Sequence, residues 1–191
     1  MSLLPEEQAR ANFYALLSRL FYAPPDAALL AALGQADELA ADDPMIAECW
    51  RELAKASAGA DADKVRAEYE SAFVGTGRAP VTLYASAYSV RYSNEMPLVG
   101  LRGELAKLGL ARRSEVGEPE DHIAALCDTM RHLVAESDLA DQQGFFARWI
   151  QPIVEPLCNA IEESQQTVFY KHVARMAKAF LLLERSAFEM L

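Results

Sequence analysis

Glu118-Pro119-Glu120-Asp121-His122 runs directly into Ile123, Leu126, Cys127, Met130, Leu133 and Val134, and the rest of the 191-residue chain reads outward from this stretch. The apolar positions recur at three-, four- and seven-residue steps, which forms one stripe along a helix. The spacing predicts a start at or just after Glu118, with Pro119 in the first turn, where a missing N–H costs nothing. Glu118, Glu120 and Asp121 would then face the positive end of the helix dipole, each stabilised by about 0.3–1 kcal/mol. His122 falls one residue ahead of the stripe, at the border between core and solvent. Two readings stay open: a capped helix with a border histidine, or a recognition site for a cationic ligand, with carboxylates and an imidazole held by a rigid helix start.

Upstream, residues 6–22 place Phe13, Leu16, Leu17, Leu20 and Phe21 on one helical face, and Pro24-Pro25 ends it. Asp26 caps a short helix closed by Gly34, and Asp43-Pro44 opens a third. A fourth passes through Val65, Tyr69, Ala72 and Phe73 to Gly75 as its C-terminal cap. The segment Gly75 to Met96 is the least helical. A lone strand there has no partner, so an ordered loop with a short helix and the two tyrosines Tyr84 and Tyr88 is expected. Pro97 opens a helix through Leu101 and Leu105 that ends at Gly109. Downstream, Phe145 to Ile161 is helical, kinked or split by Pro152 and Pro156. A last helix, about Thr167 to Arg185, buries Val168, Phe169, His172, Val173, Met176, Phe180 and Leu183. The expected fold is all-α, a single globular domain over residues 1–191 with about seven to nine helices.

A chain of this length buries about 70 % of its unfolded surface, so no disulfide scaffold is needed. The three cysteines, Cys49, Cys127 and Cys158, lie among apolar helical neighbours without a CxxC pair and read as reduced core residues of a cytoplasmic protein. A net charge of −10 argues against nucleic acid and for cationic partners. No apolar run is long enough to span a membrane, and no secretory leader is evident at the N-terminus. His122, His132 and His172 are scattered and form no HExxH or ExxH pair, so no metal site is expected. Asp121-His122 superficially suggests a helical metal-dependent hydrolase, which would need further histidines from other helices. No strained GxSxG turn and no phosphate-cradling glycine loop is present. No catalytic residue and no cofactor are assigned, and the chain is read as a non-enzyme.

The EPEDH sequence at 118–122, preceded by LVGLRGELAKLGL at 98–110, resembles the signature of the TorD/DmsD/NarJ redox-enzyme maturation chaperones. The likeness extends through FYALLSRLFY at 13–22, AEYESAFVG at 67–75 and FYKHVARMAKAFLLLE at 169–184. It implies an all-helical cytoplasmic chaperone that holds a molybdoenzyme precursor, often by its twin-arginine signal peptide, until the molybdenum cofactor is inserted. Molybdenum-cofactor biosynthesis proteins are further partners on this footing. Glu118, Pro119, Asp121 and His122 match the ligand-binding motif of that family, and Tyr84 and Tyr88 stand where it has an aromatic loop, although Val81-Thr82 replaces a proline and aromatic pair often found there. Tyr14, Leu17 and Phe21 match its first-helix pattern but read more strongly as core. Arg102 is a candidate to pair with a nearby acid. The alternatives are assembly of a nitrate-reductase-type complex by binding a terminal helix of its catalytic subunit, and the metal-dependent hydrolase. Both a monomer and a helix-exchanged dimer are compatible with the split helix and the Gly109 to Gly117 connection.

A twin-arginine signal offers two guanidiniums and then an uncharged, leucine-rich run. An exposed ion pair contributes about 0.2–1 kcal/mol, whereas burying one Leu or Phe contributes about 1.5–3 kcal/mol. Affinity is therefore expected from an apolar groove walled by the central helix and the Tyr84 to Tyr88 loop, with the acids setting orientation and encounter rate. A protonated His122 would repel the arginines and weaken binding near pH about 5.5.

Overall fold

Proline and acidic caps divide the chain where the sequence predicts. In the computed structural model, which describes residues 3–41, 43–75, 79–88, 97–112 and 117–190, the helices are α1 (Pro5–Tyr22), α2 (Ala27–Gly34), α3 (Pro44–Ala58), α4 (Ala62–Tyr69), α5 (Pro97–Lys107), α6 (Ile123–Glu136), α7 (Leu139–Phe145), α8 (Gln151–Glu163) and α9 (Phe169–Glu189). Wide π-type turns continue α4 over Glu70–Val74 and α7 over Phe146–Ile150. Among the described residues no strand forms, only an isolated antiparallel bridge between Tyr84 and His122. The all-α expectation is met.

Local chemistry explains most boundaries. Asp26 accepts from Leu29 N–H at 2.8 Å and Asp43 from Met45 N–H at 2.8 Å, with Pro44 as the first residue of α3. Gly75 and Gly109 take positive φ values of 61° and 73°, a region open to glycine at little cost. Gly34 has another reason to be glycine. A Cβ there would lie 2.7 Å from the Ala58 Cα, so its absence lets α2 and α3 close on each other. Against expectation, the downstream helical run is not split at its prolines but widened by the π turn ahead of them. Gln151 N–H bonds to Phe146 O in the π turn, Pro152 then lies in the first turn of α8, and Pro156 sits inside an unbroken helix.

The chain clusters into two compact units. The first comprises residues 1–18 and 83–153 and the second residues 19–82 and 154–191, so α1 and α8 each contribute to both. In the second unit α3 packs on α2 and α9. Tyr170 O–H donates to Leu20 O at 3.0 Å and Tyr69 O–H to Phe21 O at 3.0 Å, while Phe73 meets the Tyr170 ring edge to face at 4.9 Å. Val168 is 73 % exposed, against the expectation of burial, because it sits at the N-cap of α9 rather than within it; Leu183 is exposed too. The first unit is built around α6, whose Leu126, Cys127, Met130 and Leu133 are fully buried. Tyr14 and Leu17 are buried there, and Phe21 in the second unit, as core positions.

Candidate functional site

All six residues expected at the site lie in the first unit, and the structure ties four of them together. The start of α6 is later than the apolar spacing suggests. His122 is its N-cap, extended at φ −64° and ψ 135°, so Glu118 to Asp121 precede the helix instead of forming its first turn. The physical reason is that the His122 side chain performs the cap: Nδ1 accepts from the Ala124 N–H at 3.2 Å, the bond an Asp or Ser usually accepts at such a start. Freed from the helix, the preceding residues pair with the tyrosine loop. Ala85 N–H donates to Asp121 O and Ile123 N–H to Leu83 O, both at 2.9 Å. A strand of one residue needs no sheet here, because two backbone bonds suffice to stitch a loop onto a helix start.

Side chains tighten the same join. The Asp121 carboxylate accepts from Ser86 N–H at 3.1 Å, and Tyr84 O–H donates to the Glu118 carboxylate. The Tyr84 and His122 rings meet edge to face at 5.2 Å. Pro119 contributes its carbonyl, which accepts from His122 N–H at 3.2 Å. Tyr88, half-buried, closes the short turn over Ala85–Ala87. Asp121 is 6 % and His122 4 % exposed, so the imidazole is interior rather than at the border. Glu118, Pro119, Glu120, Tyr84 and Tyr88 are half-buried, and Ser86 and Ala87 are exposed.

Burial pushes the His122 imidazole below its ordinary value of 6.5, against the opposing pull of Glu118 and Asp121. Because Nδ1 is an acceptor, the neutral ring carries its proton on Nε2. Protonation would remove the acceptor of the Ala124 N–H, so acid first undoes a cap, before any effect on an arginine ligand.

Glu120, expected only to face the helix dipole, is the acid of the EPEDH segment that pairs with guanidinium. Arg102 Nε and its terminal nitrogen each reach Glu120 Oε2 at 3.0 Å, and Arg112 Nε reaches Oε1 at 3.5 Å. Its carboxyl is held below the ordinary 4.5, first by the hydrogen bond from Arg102. The expected partner of Arg102 is thus Glu120, a pairing across 18 positions that no local spacing reveals. Arg102 is aimed by α5, which is anchored in turn: Leu101 and Leu105 are buried and Glu104 accepts from Trp149 Nε1 at 2.8 Å. Among the described residues no three His, Cys, Asp or Glu side chains gather as a metal site would require.

Residues 39–181, well over half of the chain and including both α5 and the join at α6, match the family model described as nitrate reductase delta subunit. The chain belongs to the nitrate reductase delta subunit family. Within it, this member is similar to the chaperone protein TorD of Shewanella loihica, with 26 % identity over 199 residues covering 96 % of this chain and 94 % of that protein. It is also similar to the chaperone protein TorD of Shewanella pealeana, with 28 % identity over 203 residues covering 93 % and 88 %. Its fold resembles the crystal structure of an Archaeoglobus fulgidus protein described as a redox enzyme maturation protein, with a TM-score of 0.58 and 20 % identity over 91 % of this chain and 93 % of that one. No helix of the described residues is long and apolar enough to cross a membrane.

Proposed function

We propose that this member of the nitrate reductase delta subunit family is a TorD/NarJ-type redox-enzyme maturation chaperone, not a catalyst, which captures a molybdoenzyme precursor by its twin-arginine signal peptide in the cytoplasm and delays export until the molybdenum cofactor is inserted. The observation that carries the site is the stitched join: an acidic segment and a tyrosine loop fastened to each other and to the start of the central helix of the first unit. Such a join presents its half-exposed members in fixed geometry, which lowers the ordering cost of binding a flexible peptide. Glu118, Pro119, Tyr84 and Tyr88 are assigned to contact with the client. Asp121 and His122, being buried, act as positioning residues: the first holds Ser86 and the second caps α6.

The test is calorimetric titration with a synthetic peptide bearing two arginines and a leucine-rich run. Binding is expected, with Tyr88→Ala weakening it, while replacing the leucines costs more affinity than replacing the arginines by glutamine. No binding of the intact peptide refutes the assignment. The match to the model described as nitrate reductase delta subunit supports a second reading, assembly of a nitrate-reductase-type complex, for which the proposed client is a terminal helix of the catalytic subunit; tight binding of an arginine-free amphipathic helix with no binding of the twin-arginine peptide selects it.

A further inference from the structure

A carboxylate that already holds two guanidiniums is shaped for two guanidiniums. Glu120 takes Arg102 on one oxygen and Arg112 on the other, with a side chain only 11 % exposed, whereas both arginines are substantially exposed at 52 % and 38 %. The anion is fixed and the cations stand on the solvent side. Arg102 comes from α5 and Arg112 from the connection beyond it, where its terminal nitrogen also donates to Gly117 O at 3.4 Å. The other acids of the join are spoken for by groups that cannot leave without opening it: Glu118 by the Tyr84 hydroxyl, Asp121 by a backbone N–H. Glu120 alone of the three is engaged by charged side chains that stand partly in solvent; displacing Arg102 costs its ion pair, and displacing Arg112 costs its bond to Gly117 O as well. An incoming arginine side chain exchanges like for like there, and exposed ion pairs are cheap to exchange because water and salt screen them.

On the footing of the arginine-bearing client proposed above, we propose that Glu120 is the arginine-reading carboxylate of the site and that Arg102 and Arg112 occupy it as internal stand-ins until the two arginines of the client displace them. The contact is autoinhibitory: a cation that reaches either oxygen of the acid must first displace the arginine already there.

The experiment is titration of the full chain with the twin-arginine, leucine-rich peptide and with the same peptide carrying two glutamines, using the wild type, Arg102→Gln, Arg112→Gln, the double variant and Glu120→Gln. Circular dichroism checks that each variant is helical. Affinity for the arginine peptide should rise about two- to five-fold for each stand-in removed, the scale of an exposed ion pair. Affinity for the glutamine peptide should stay unchanged, and Glu120→Gln should abolish the preference between the two peptides. If the wild type binds the arginine peptide but the arginine variants bind it equally or more weakly, the stand-in proposal falls while peptide capture stands. If neither the wild type nor the double variant binds it, both fall.

Discussion

Replacing His122 by alanine and by asparagine separates a cap from a sensor. Alanine leaves the buried Ala124 N–H without its 3.2 Å acceptor, which costs about 1–3 kcal/mol for an unmet buried donor. It also removes the edge-to-face contact with Tyr84, worth about 0.5–1.5 kcal/mol. The sum for His122→Ala is about 1.5–4.5 kcal/mol, a large share of the stability of an ordinary domain. Asparagine is itself a favoured N-cap and keeps an acceptor in place, so His122→Asn should lose only the ring contact, about 0.5–1.5 kcal/mol. The assay is urea unfolding of the first unit, followed by Trp149 fluorescence in a Trp50→Phe background. The pH dependence adds a second readout. The folded imidazole titrates below its ordinary 6.5, so the unfolded chain binds the proton more readily. Its stabilising contribution is whole above the unfolded value and is lost as pH falls through the folded one. Wild type should therefore lose more stability on acidification below about pH 6.5 than His122→Asn, which has no proton to take up. A His122→Ala loss under about 0.5 kcal/mol, or asparagine no better than alanine, refutes the cap.

Two further perturbations concern the second unit and are read by Trp50 fluorescence in a Trp149→Phe background. The Glu68 carboxylate accepts from the N–H groups of Val168, Tyr170 and Phe169 at 2.9, 2.8 and 3.0 Å, supplying from α4 the cap that α9 lacks in its own sequence; Glu68→Ala should cost about 2–3 kcal/mol and Glu68→Gln about half of that, and unchanged urea midpoints would count against it. Gly34→Ala gains about 0.5–1 kcal/mol of helix preference but drives a methyl against the Ala58 backbone, an overpacking of about 1–3 kcal/mol, so a net loss is expected and a raised midpoint overturns the steric account.

The helices were legible because their evidence is local. Pro5, Pro44 and Pro97 stand at helix starts, Asp26 and Asp43 cap, and Gly75 and Gly109 end their elements with positive φ, each through bonds spanning a few residues. Where sequence reasoning slipped, a distant group had changed the local rule. The acidic run at Glu118 looks like a first helical turn until Leu83 and Ala85 claim its backbone, which moves the start to His122. Gly34 looks like a terminator until Ala58 is found beside it.

Periodicity and capping chemistry, both properties of neighbours along the chain, were enough to set an all-helical architecture, and the resemblance to the TorD/DmsD/NarJ chaperones marked EPEDH and the two tyrosines as candidates for one site. Only folding assigned the parts: which acid meets Arg102, which face of His122 is used, and which carboxylate is locked and which exchangeable. Arg102, Tyr84 and Ser86 reach these carboxylates from 18 to 35 positions away, and a hydrogen bond or ion pair acts over a few ångströms of space whatever the distance along the chain.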